Sequence, residues 1–93
     1  MQSLLDILDR EKSLVDCILR RESHIRYYEK QMENIEQINI DCTCKYADLK
    51  VYQKFIDEER AFIALDTLEL DKTRDQLLDY IHALFESSNT KET

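Results

Sequence analysis

Steps of three and four residues from Leu4 pass through Leu4, Ile7, Glu11, Leu14, Ile18, Arg21, Ile25, Tyr28, Met32 and Ile35, and eight of these ten side chains are apolar. That spacing turns one face of an α-helix toward a second helix. The second half has a seam of its own. Leu49, Ile56, Ile63, Leu70, Leu77 and Leu84 recur every seven residues without a miss, with Tyr52, Glu59, Asp66, Thr73 and Tyr80 three residues further on in each repeat. Phe55 and Phe62 stand beside this seam and widen it.

The chain of 93 residues contains no Gly and no Pro. Primed hairpin turns and phosphate-cradling loops depend on Gly, so β-meanders and nucleotide-binding folds do not fit this sequence. An all-α fold is expected.

Ser3 followed by Asp6 reads as a short capping box at the start of the first helix. Nothing then breaks the helix before Ile38-Asn39-Ile40-Asp41-Cys42-Thr43, the β-branched and Asn/Asp-containing cluster where the turn is placed. The expected domain covers residues 1–86, with helix 1 over about 3–38, a turn over about 39–44, helix 2 over about 45–86, and a polar, disordered tail over 87–93. Asp41 or Thr43 is the candidate cap of helix 2.

Folding back near residue 43 pairs positions whose numbers sum to about 86, and the polar residues that interrupt the two seams then meet in opposite charge. Arg21 falls near Asp66 and Glu11 near Arg74, while Met32, Ile25 and Leu4 fall near Phe55, Phe62 and Leu84. This points to an antiparallel helical hairpin of coiled-coil type. The competing arrangement breaks helix 2 between Asp66 and Thr73, where Thr73 and Gln76 spell a capping box, and gives a three-helix bundle.

A hairpin uses one seam, yet further apolar residues cluster in its open half: Leu5, Leu8, Val15 and Leu19 on helix 1, and Leu65, Leu68, Leu78, Ile81 and Phe85 on helix 2. An exposed apolar patch marks a contact surface. The expectation is a homodimer whose open halves form a four-helix bundle. Tyr27 and Tyr46 lie off the seams near the turn, where tyrosines are favoured contact residues.

The 13 basic and 20 acidic side chains leave a net charge of −7. Binding to phosphate backbones needs a basic stripe, and the best run, Arg20, Arg21, His24 and Arg26, is diluted by Glu22 and Glu29. Three cysteines, an odd number, argue against a closed disulfide framework and for a reducing, cytoplasmic setting. The first twelve residues lack a basic leader region, and Asp6 and Asp9 interrupt their apolar run, so neither a signal peptide nor a membrane span is expected.

Cys42-Thr43-Cys44 is a candidate soft-metal or redox pair, but a zinc site needs two more ligands and neither His24 nor His82 is close in the hairpin. No Glu-x-x-His run supplies a di-iron centre, and no acid–His–nucleophile set can be assembled. No cofactor is expected. The sequence therefore reads as a non-enzymatic protein-binding module: a small regulatory adaptor, an inhibitor or a chaperone. The alternative is a dimeric regulator linked to nucleic acid, such as a transcription or replication accessory factor.

Overall fold

The computed structural model describes residues 3–38 and 43–91. Two helices, α1 (Leu4–Glu36) and α2 (Thr43–Lys91), pack against each other, and no strand occurs among the described residues. The molecule is a rod of 78 × 17 × 16 Å.

α1 begins as the sequence implies. The Ser3 hydroxyl accepts from the Asp6 N–H at 3.2 Å, and the Asp6 carboxylate accepts from the Ser3 N–H at 3.4 Å. Two amides of the first turn that lack carbonyl partners are thereby satisfied. At the other end the Gln37 N–H closes onto Glu33 O and the Ile38 N–H onto Ile35 O, both at 3.1 Å. The last turn of α1 holds no basic residue. Lys45, from the first turn of α2, takes that role: its ammonium donates to Glu36 O at 3.3 Å and to Ile38 O at 3.1 Å. A cation at the negative end of α1 thus ties the two helices together beside the turn. Residues 39–42, which include most of the expected turn and the Asp41 cap, lie outside the described residues.

The ten seam positions of α1 are all buried or half-buried, with Ile7 and Ile25 the deepest. On α2 the same holds from Leu49 through Leu77, and Ile56, Leu70 and Thr73 are buried. Cross-helix ion pairs fix the direction. Arg10 meets Glu69 at 2.7 Å, Glu11 meets Arg74 at 3.6 Å, Arg21 meets Asp66 at 3.4 Å and Glu29 meets Arg60 at 3.7 Å. Early positions of α1 therefore face late positions of α2, and the hairpin is antiparallel. Both ion pairs expected from the sequence are made.

Three expectations are corrected. α2 runs unbroken through Asp66 to Thr73, so the three-helix arrangement is not adopted. The Thr73 hydroxyl, instead of capping a new helix, is buried and donates to Glu69 O one turn back at 2.8 Å. α2 also continues as helix past Glu86 to Lys91, where a disordered tail was expected; residues 92 and 93 lie outside the described residues. Finally, Leu84, expected on the seam near Leu4, is 55% exposed. The cause is length. α2 has 49 residues against 33 in α1, and the shared turn aligns them at one end. Since Arg21 meets Asp66 and Glu11 meets Arg74, Leu4 is level with about residues 81–83, and the remainder of α2 to Lys91, about 12–15 Å at 1.5 Å per residue, projects beyond the start of α1.

Candidate functional site

The ion pairs also sort the surface into two flanks. Writing the seam as heptad positions a and d, Glu29 and Arg60 hold e positions and Arg10 and Glu69 hold g positions, as flanking pairs do between antiparallel helices. Multiples of seven residues keep a side chain on one flank.

Leu8 and Val15 repeat the position of Glu29, and Ile81 repeats that of Arg60. Leu5 and Leu19, with Leu78 and Phe85, take the neighbouring b positions. The structure therefore brings seven of the nine open-half residues onto one flank. Six of them are exposed, from Leu8 to Leu5 at 72% and Phe85 at 68%, and Val15 is half-buried. At the overhang, Ile81 and Phe85 line a shallow recess with His82 and Glu86. Leu65 and Leu68 do not join this face. They hold c and f positions, on the opposite flank and the back of α2, although both are exposed. One apolar stripe on α2, as grouped from the sequence, is in fact two patches separated by the twist of the helix. Tyr27 and Tyr46, both exposed, also part company: Tyr27 is on the g side of α1 and Tyr46 on the e side of α2.

The g flank carries a second apolar row, of which sequence reasoning overlooked Val51. Phe55 and Phe62 repeat the position of Glu69, and with Val51 and Leu65 they form an exposed apolar row on α2. Phe55 lies against Tyr28 at 5.4 Å between ring centres and against Tyr52 at 6.3 Å, and Tyr27 stands edge-on to Tyr28 at 5.8 Å. Both phenylalanines stand beside the seam and widen it, as their positions imply: Phe55 packs on Tyr28 and Tyr52, and Phe62 lies under Arg21. Their seven-residue spacing, at the same offset as Glu69, was the signal that they lie on its rim.

At mid-length one charged cluster interrupts the seam. Arg21 reaches Glu59 at 3.4 Å and Asp66 at 3.4 Å, with His24 Nδ1 at 3.7 Å from the other Glu59 oxygen. The guanidinium carbon stands 4.4 Å from the centre of the Phe62 ring. Burial opposes the charge on Arg21, but Cys17 beside it and the Glu59 carboxylate outweigh that and raise its pKa above the ordinary value. Arg21 is thus a fixed cation that joins two acids of α2, and it sets register. Cys17 is half-buried and Cys44 exposed, both as free thiols; Cys42 lies outside the described residues. Among the described residues no three of His, Cys, Asp and Glu gather in a way that would hold a metal. No helix among the described residues is long and apolar enough to cross a membrane.

No protein-family model matches the chain. Neither a curated protein nor a solved structure matches it.

Proposed function

We propose that this chain is a non-enzymatic protein–protein interaction module, of the adaptor, inhibitor or chaperone kind. It self-associates through its open end, where two hairpins complete a four-helix core. The single observation that carries this reading is the exposed apolar face made by Leu5, Leu8, Leu19, Leu78, Ile81 and Phe85 on one flank.

Area supports it. The chain exposes 7429 Å². A compact protein of its mass, 11.2 kDa, exposes about 5,700 Å², so roughly 1,700 Å² is in excess. A standard interface takes about 800 Å² from each partner, well within that excess. An isologous contact uses the same face on both copies, so one apolar face per chain suffices. An odd cysteine count, with two free thiols, fits a reducing cytoplasmic setting.

The test is mass in solution. Sedimentation equilibrium should give the mass of two chains for the native sequence, and that of one chain for Leu8→Glu with Leu78→Glu at unchanged helicity. A native chain that stays at the mass of one chain across the concentration range overturns the open-end contact.

A further inference from the structure

Two hairpins that meet through the flank of Leu5 and Leu78 can lie with their turns at the same end or at opposite ends. The b positions of that flank separate the two arrangements. From the open end toward the turn they are Leu5, Lys12, Leu19, Arg26 and Glu33 on α1. In the same direction they are Leu78, Asp71, Ala64, Asp57 and Lys50 on α2, with Phe85 beyond at the overhang. All are exposed, and none of the six charged ones joins an ion pair among the described residues.

With the turns at the same end, the two-fold axis runs along the rod. α1 of one copy then faces α2 of the other at the level it already has in its own hairpin. The ion pairs across the seam join residues whose numbers sum to between 79, for Arg10 and Glu69, and 89, for Glu29 and Arg60. Taken in order, the b positions of the two helices sum to 83, the one b register inside that range. Leu5 then meets Leu78 of the second copy, and Leu19 meets Ala64, apolar on apolar. Lys12 meets Asp71, Arg26 meets Asp57 and Glu33 meets Lys50, each pair opposite in charge. The match survives the change of sign along α1 between Arg26 and Glu33, where Asp57 gives way to Lys50 on α2. Between the b rows, Glu29 and Arg60 of the two copies alternate in sign around the axis. Arg74 is held by Glu11; of the remaining acids there, Glu22 is one turn from Arg26 and Glu36 is level with Lys50 of the second copy.

With the turns at opposite ends, α1 faces α1 and α2 faces α2. The register that joins both leucines of α1, Leu5 on Leu19, then sets Lys12 on Lys12. Because Lys12 is level with Asp71, it also sets Asp71 on Asp71 and Phe85 on Asp57. Like charges so placed select against this arrangement.

We infer that the second copy docks with its turn at the same end, α1 of each against α2 of the other. The contact runs from Leu5 to Glu33, about 42 Å at 1.5 Å per residue, and so continues from the open half down both arms. The leucines supply the apolar area at the open end, and the three ion pairs fix orientation and register. The inference rests on the self-association proposed above and adds which way the second copy lies.

The experiment uses the full chain and reverses one pair. In sedimentation equilibrium, Lys12→Glu and Asp71→Lys should each weaken dimerisation about ten-fold at unchanged helicity. An equimolar mixture of the two variants should return to within about three-fold of the native affinity, because each copy supplies the charge that the other needs. With the turns at opposite ends, Lys12→Glu would instead pair best with the native chain, whose Lys12 it would face. A second measurement needs no variant. Carbodiimide coupling of an equal mixture of unlabelled and isotopically heavy native chains should join Glu33 of one chain to Lys50 of the other, read as a mixed-mass peptide pair. Native dimers that give no mixed-mass link, variants that do not recover on mixing, or a preference of Lys12→Glu for the native chain each overturn this orientation and leave the self-association standing. A native chain that stays at the mass of one chain removes both.

Discussion

Arg21 and Asp66 face each other across the seam with Nε 3.4 Å from Oδ2, and both atoms are buried without a well-aligned hydrogen bond. The pair is an electrostatic contact at the core's edge, shared with Glu59. Removing the cation leaves two carboxylates together on one helix face; removing Asp66 leaves Arg21 with Glu59. Arg21→Met should therefore cost about 1–2 kcal/mol, discounted for partial exposure, and Asp66→Asn less than about 1 kcal/mol. Urea unfolding of both variants measures the asymmetry. The pKa of Arg21 is raised, so its stabilisation is fully present below the ordinary arginine value and is lost only as pH climbs through the raised one. The cost of Arg21→Met should be flat between about pH 6 and pH 10.

Thr73 is 2% exposed and spends its hydroxyl on Glu69 O at 2.8 Å. Such back-bonding satisfies the hydroxyl without strengthening the helix. Thr73→Val keeps the shape and deletes the buried polar atom, and should leave stability within about 0.5 kcal/mol or raise it. Thr73→Ala, which opens a gap on the seam, should cost about 1–2 kcal/mol. Thermal unfolding of the two variants checks the order. A larger loss for Val than for Ala would mean that the hydroxyl, not the volume, matters here.

What was legible in the sequence is what a three-and-four period can encode. The period selects one face, and the ten α1 positions it picks out are the ones turned inward. Register was legible for a different reason: Glu11 and Arg21 break the α1 seam at places that meet Arg74 and Asp66 only in one antiparallel alignment. The overhang was not legible, because nothing in the polar tail marks where α2 ends, although Ser3 and Asp6 mark where α1 begins. Leu84 keeps the seven-residue beat where the partner helix runs out, and is exposed. The second stripe was misjudged for a related reason. Leu65 and Leu78 look equivalent as off-seam leucines, but thirteen residues is one short of two heptads, and the step moves a side chain to the other flank. Lys45 was missed altogether, since a helix-capping group supplied by the next helix has no local signature.

Lys45 gives the third prediction. It neutralises the carbonyl end of α1 from across the turn, a contribution of about 0.5–1 kcal/mol in partly buried geometry. Lys45→Ala should lose that amount in the urea midpoint, and Lys45→Glu should lose more because a like charge then faces the helix end. Amide exchange localises the effect: Gln37 and Ile38, whose N–H groups close the last turn, should exchange faster while Ile7 is unchanged. Uniform acceleration along α1 would show that Lys45 acts on global stability rather than on the cap.

Ile56 and Leu84 occupy the same heptad position 28 residues apart, yet Ile56 is 2% exposed and Leu84 55%. One is deep in the seam and the other stands at its open end, so the two side chains test different environments with the same chemistry. Ile56→Ala should destabilise the hairpin by about 2–4 kcal/mol through the cavity it leaves. Leu84→Glu should change the unfolding of isolated hairpins by no more than about 0.5 kcal/mol, since the side chain is largely exposed. If the overhang takes part in the open-end contact, Leu84→Glu should nonetheless weaken dimerisation, read as a rise in the concentration at which the mass falls to one chain. Stability that depends on protein concentration for the native chain, and no longer for Leu84→Glu, would tie folding to association in the same experiment. Loss of hairpin stability by Leu84→Glu at high dilution would instead show that Leu84 packs on α1 despite its exposure.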